Sequence, residues 1–268
     1  STTAVTFRAA GYQLERVDFH LQEQMSRAVM AEDIQAVYIQ HTRQQLSDHY
    51  ALADVIQIVR AHRPNMLVIV DDNYAVANTP EIGVELGADV SAFSSFKLLG
   101  PEGIGILLCS HTVAQRVRAD MYSGGTRVQG FQAQEALIGL SQVFVANACT
   151  QETADAIVAQ LQAQASPSIA EALVANMQSP VVLLRFHKPI APEVIERAAK
   201  YGAAPFPVGA MSRYEVIPMF YRVSGAMVDV LGPDEARHWI RINPMRAGTE
   251  TVIAILNKAL EEVREHVS

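Results

Sequence analysis

Lysine is almost missing from the first 187 residues of this 268-residue chain; Lys97 is the only one, and arginine carries the other positive charge there. Cysteine is scarce too. Cys109 and Cys149 stand alone, without zinc-ligand spacing or a disulfide framework, so a reducing, cytoplasmic setting is the expectation. No apolar run reaches the ~18 residues of a membrane span, and no stretch reads as a secretory leader, so no membrane partner is expected. A basic face is lacking as well: the net charge is −7, which argues against nucleic acid as the main partner. Internal repeats and low-complexity segments are absent. What is there is apolar: 50% hydrophobic and 18% charged residues describe a globular, core-rich protein. The length suffices for one large domain or two of moderate size.

The first half alternates short apolar runs with helical patterns. Segment 12–19 reads as a strand, 21–32 as a helix, 34–40 as a strand and 49–62 as a helix. A fully buried strand follows at 66–70, then a short helix at 79–87 begun by Thr79 with Pro80 in its first turn, then a strand at 89–93. "GIGILLC" (103–109) makes a hairpin-like return, and a long helix spans 131–165 without an internal proline. This pattern predicts an α/β fold, a mostly parallel sheet with helices on both faces. From about 169 a smaller C-terminal α+β domain is expected: helix 169–176, strand 181–187, helix 191–202, β segments near 214–223 and 238–243, and a closing helix 249–267. The expected domains are 1–150, the large one, and 151–268, the connecting helix with the small one.

Open parallel sheets bind ligands at the carboxyl ends of their strands. There stand "DDNY" (Asp71 to Tyr74), "SSFK" (Ser94 to Lys97), and "HTRQQ" with His41 and Arg43. Taken singly, Asp71 reads as a cap, Ser94 as a turn residue and Lys97 as a snorkelling cation. Their placement at successive strand ends favours a common site. A lysine amid "SAFSSFKLLGPEGIGILL" is otherwise costly to bury.

"VIVDDNYAV" followed by "ADVSAFSSFKLLGPEGIGILL" resembles the core of the fold-type I pyridoxal-phosphate enzymes, the aspartate-aminotransferase superfamily. The resemblance is nearest to class V aminotransferase-like and selenocysteine-synthase-like proteins, with an echo of the Cys/Met-metabolism lyases. It implies pyridoxal 5'-phosphate as cofactor and Lys97 as the Schiff-base lysine. It further implies Asp71 on the pyridine nitrogen, Tyr74 at the phenolic oxygen and Ser94 toward the phosphate. In an alternating strand Asp72 faces away from Asp71 and is expected to cap the loop. "YSGGTR" (122–127) resembles the segment that reaches the phosphate across a dimer interface, which implies a homodimer with Thr126 acting in trans. "WIRINP" (239–244) resembles the strand whose arginine clamps the substrate carboxylate, a task for Arg241. His41 and Arg43 are weaker candidates for lining the site, and the substrate implied is a small amino acid.

Two departures from the family pattern bear on cofactor affinity. The family's phosphate-cradling glycine-rich turn and ring-stacking residue would lie before Ser1, and Phe96 replaces a hydroxyl that many relatives carry. A cofactor weakly held, or absent, is the expectation. Rival readings are poorer. "SSFK" satisfies S-x-x-K, but its companion S-D-N and K-T-G elements do not occur. "GPEGIG" neither matches G-x-G-x-x-G nor opens a helix. The remaining alternatives are a β/γ-lyase on the same scaffold and a cofactor-poor domain with a structural or regulatory role.

Overall fold

The computed structural model describes residues 2–42, 46–123, 127–175, 180–206 and 216–267. The chain divides into two compact units. The first runs in the main up to Phe93 and includes Gly105–Arg127; the second holds Ser94–Ile104 and the chain from Val128 onward.

In the first unit, β1 (Ala36–Gln40), β2 (Leu67–Asp71), β3 (Val90–Ser94) and β4 (Gly105–Cys109) form a sheet in that order. β1 and β2 are parallel, as are β2 and β3. Alternation along the strands turns Ile39, Val68 and Val70 to one face. There they are buried with Met25 and Val29 of α2 (Gln22–Met30) and with Leu52, Val55, Ile56 and Val59 of α3 (Leu52–His62). On the other face Phe7 of α1 (Thr2–Ala9) meets Tyr38 edge-on, ring centroids 5.2 Å apart. Helix α4 (His111–Asp120) is capped by Ser110, whose hydroxyl accepts the Val113 N–H at 3.4 Å.

The second unit is the α+β one. Helix α5 (Gly130–Gln164) opens with a capping box between Gln129 and Gln132. A mainly antiparallel sheet follows, ordered β5 (Ile169–Val174), β6 (Val182–Phe186), β8 (Trp239–Asn243), β7 (Met219–Arg222). Its face of Val182, Leu184, Phe186, Phe220, Ile240 and Ile242 is buried against α6 (Ala191–Lys200), α9 (Thr249–Val267) and the C-terminal half of α5. Two short helices, α7 (Gly225–Leu231) and α8 (Pro233–Ala236), lead into β8.

Three expected elements are corrected. Segment 12–18 has no strand pairing; Val17 and Phe19 only pack against the α2–α3 core. The helix expected at 79–87 is a chain of turns. Asp72 accepts the Gly83 N–H and Ser91 Oγ the Val84 N–H, so side chains take the donors that a helix would use differently. Segment 169–174 is a strand rather than a helix, because pairing with β6 overrides its helix-favouring alanines, glutamate and leucine. The break expected after residue 150 falls inside α5, which runs unbroken through it.

Candidate active site

The carboxyl ends of β1 and β2 carry a tight polar cluster in the first unit. Consecutive residues leave a strand on opposite sides, and Asp71 and Asp72 do so here. Asp71 accepts the Tyr38 hydroxyl at 2.7 Å, and the Asn73 N–H and Nδ2 at 3.0 and 2.7 Å. Asp72 continues the buried row of Val68 and Val70 and is fully buried. Its Oδ1 lies 2.7 Å from His41 Nδ1, and its two oxygens lie 3.3 and 3.1 Å from the Gly83 N. Asp72 therefore ties down the loop after β2. His41 also donates its backbone N–H to the Asp71 carbonyl at 3.0 Å, extending the parallel ladder by one step.

Tyr74 holds a left-handed backbone, φ 67°, and Ala77 in the same loop does too, φ 66°. Such conformations cost roughly 1 kcal/mol or more for a side chain with a Cβ, and they cluster where function requires a set geometry. The Tyr74 carbonyl is held by Asn78 Nδ2 at 2.9 Å. Burial, followed by the hydrogen bond to Asp71, pushes the Tyr38 phenol well above the usual tyrosine range.

In the second unit a single 3-10 turn (Ser95–Leu98) carries the lysine, with Ser94 at its N-cap. Ser94 is still extended, φ −90° and ψ 132°, so β3 runs directly into the turn that carries Lys97. The turn ends in Leu99, left-handed at φ 61°, and closes through Gly100 N–H to Ser95 O at 3.0 Å. Helix α5 is pressed directly onto it. A Cβ on Gly139 would stand 2.6 Å from Gly100 N, Leu98 O and Leu99 C, and one on Gly100 would stand 2.1 Å from Ser95 Oγ. Glycine is required at both positions. Gly100 opens the "GPEGIG" segment, whereas Gly139 stands in no motif, although a glycine inside a long helix, costing about 1 kcal/mol against alanine, signals a close approach. Lys97 is half-buried, its Nζ 5.8 Å from the Phe96 ring centroid.

Arg241 lies on β8 opposite Leu183 of β6 and Tyr221 of β7. Its guanidinium carbon sits 4.8 Å from the centroid of the Tyr221 ring. Its Nε is buried and has no hydrogen-bond partner. No carboxylate among the described residues forms an ion pair with it. Partly buried cations are ordinarily paired, so a guanidinium in this state fits an anionic ligand such as a carboxylate. Arg43 and Thr126 lie outside the described residues.

The class V aminotransferase family model matches residues 8–176, and the model of the YhfS-like C-terminal domain matches residues 155–256. YhfS of Escherichia coli (strain K12) is 43% identical over 98% of this chain and 72% of its own length. The crystal structure of the E. coli YhfS protein, described as pyridoxal-5'-phosphate dependent, superposes with a TM-score of 0.89 at 42% identity, covering 97% of this chain and 72% of that one. Apo CalE6, a methionine gamma lyase from Micromonospora echinospora, shares the fold at 19% identity and a TM-score of 0.71, over 96% of this chain and 73% of that one.

Proposed function

The chain belongs to the class V aminotransferase family, and from that premise we propose a pyridoxal-phosphate-dependent enzyme of fold type I acting on a small amino acid in aminotransferase-like chemistry. The donor set suits that cofactor: an amine for its aldehyde, a carboxylate for its ring nitrogen and a hydroxyl for its phosphate. Pyridoxal phosphate, when bound, supplies an electron sink for the negative charge that develops at the substrate's α-carbon.

The protein's own groups then divide the work. Lys97 would be the residue that holds the cofactor, and its amine would serve as the general base that moves a proton at the substrate's α-carbon. Asp71 would keep the ring nitrogen protonated, and Ser94 would donate to the phosphate. Tyr74 is assigned to the phenolic oxygen. Its strained backbone fits a side chain held in a set position. His41 stands at the carboxyl end of β1, held by Asp72, its observed partner. Arg241 clamps the substrate carboxylate. The single observation that carries the amino-acid reading is its buried Nε, which has no hydrogen-bond partner.

Lyase chemistry on the same residues is the second reading, favoured by the shared fold with methionine gamma lyase and by a stretch 30% identical, over 38% of this chain and 25% of the relative, to a probable cysteine desulfurase of Aeropyrum pernix. Incubating the protein with pyridoxal phosphate, removing the excess and scanning the visible range tests the proposal. A retained visible band that amino acids perturb supports it. Colourless protein overturns it in favour of a structural or regulatory role. Release of ammonia, in place of amino transfer to a keto acid, selects the lyase reading.

A further inference from the structure

We propose that Tyr221 is a positioning residue for Arg241, holding the guanidinium in the orientation a substrate carboxylate requires; this rests on the reading of Arg241 as the carboxylate clamp. Arg241 projects from the face of the second sheet turned away from the α5–α6–α9 core, while its neighbours Ile240 and Ile242 are fully buried in that core. On its own face its neighbours along and across the strands are apolar or engaged with other groups. Leu183, across on β6, is apolar and buried. Trp239, two residues before it, gives its indole N–H to Glu235 Oε1 at 3.1 Å. Asn243, two residues after it, accepts the Met245 N–H on Oδ1 at 3.0 Å.

That leaves Tyr221, its cross-strand neighbour on β7, only 3% exposed and packed with Ala204, Met219 and Met245. The guanidinium rests 4.8 Å from the ring centroid. Burial raises the Tyr221 phenol above the usual tyrosine range, with the Arg241 charge and a hydrogen bond from Arg241 opposing. The hydroxyl therefore stays neutral and does not compete as a counter-ion. An aromatic face attracts a cation without neutralising it, and a guanidinium set over a ring keeps its N–H edge available for a bidentate carboxylate. A glutamate at this position would fix the arginine equally well but would saturate its charge. Tyrosine fixes it and leaves the charge for the ligand.

The test uses the full chain, loaded with pyridoxal phosphate where it takes it up, with sodium propionate as a carboxylate that has no amine to react. The arginine Nε–H signals are followed by 15N–1H NMR, and the Arg241 signal is assigned by its loss in Arg241→Gln. In wild type that signal should be shifted upfield by the ring, exchange slowly, and respond to propionate. Tyr221→Phe should keep the upfield shift and weaken propionate by no more than about threefold. Tyr221→Leu should lose the upfield shift and weaken propionate by about tenfold, the scale of a partly desolvated cation–π contact. If Tyr221→Leu does not fold, a retained upfield shift in Tyr221→Phe against its absence in Tyr221→Met decides the matter. Unchanged shift and affinity in the folded leucine or methionine variant overturn the role of Tyr221. Wild-type propionate affinity in Arg241→Gln overturns instead the clamp reading beneath it.

Discussion

Asp71 and Asp72 are adjacent in sequence but bind in opposite directions: Asp71 accepts Tyr38 and Asn73, and Asp72 accepts Gly83 and meets His41. Their roles should separate under mutation. Asp72→Ala should cost about 1–3 kcal/mol or more, because it strips a fully buried acceptor from the Gly83 N–H and from His41. Asp71→Asn should change stability by less than ~1 kcal/mol, since Asp71 is only half-buried, yet weaken cofactor retention. Urea midpoints and retained visible absorbance measure both. Weak retention in a stable Asp72→Asn, with Asp71→Asn normal, would transfer the ring-nitrogen role to Asp72.

Tyr38 gives the fold an alkaline limit. Its phenol titrates higher in the folded protein than in the unfolded chain, through burial and its bond to Asp71. A raised folded pKa contributes stability that is complete below the unfolded value of about 10 and is lost as pH rises toward the folded one. Denaturation midpoints should therefore fall above about pH 10, and fall less steeply in Tyr38→Phe. Equal slopes in the two proteins would count against the linkage.

Gly139 tests the seat of Lys97. Alanine there gains about 1 kcal/mol of helix propensity but drives a methyl to 2.6 Å from three backbone atoms of the lysine turn. The overpacking should win, with a net loss of ~1–3 kcal/mol and weaker cofactor retention. Gly225→Ala, whose added methyl meets nothing within 4 Å, is the control and should stay near wild type. Thermal melts of the two variants make the comparison.

How much of this was legible in the sequence follows from what each residue answers to. Apolar runs at 66–70 and 89–93 and the long helix answer to burial on a regular period, so β2, β3 and α5 stand close to the expected positions. Asp71 and Ser94 close β2 and β3 for the same reason. The loop after β2 answers instead to two side-chain acceptors, Asp72, which was expected to cap it, and Ser91, which sits in an expected strand and gives no sign of that task. β5 answers to a partner strand, and alanine-rich composition conceals that. Tyr221 was silent because its meaning arises only when β7 pairs beside β8.

The homodimer implied by the "YSGGTR" resemblance remains a proposal, with Thr126 of one chain expected near Lys97 of its partner. Obligate interfaces bury ~2,000 Å² or more, so the dimer should persist at micromolar concentration. Sedimentation velocity should give a single species of twice the chain mass. A monomer at that concentration would remove Thr126 from the site.

The central claim is that Lys97 is the residue that holds the cofactor. Borohydride reduction of the loaded protein, followed by digestion and peptide mass spectrometry, addresses it directly. The pyridoxyl mass should appear on the peptide containing Lys97 and be absent in Lys97→Ala. Label on Lys188, Lys200 or Lys258 in its place would contradict the account.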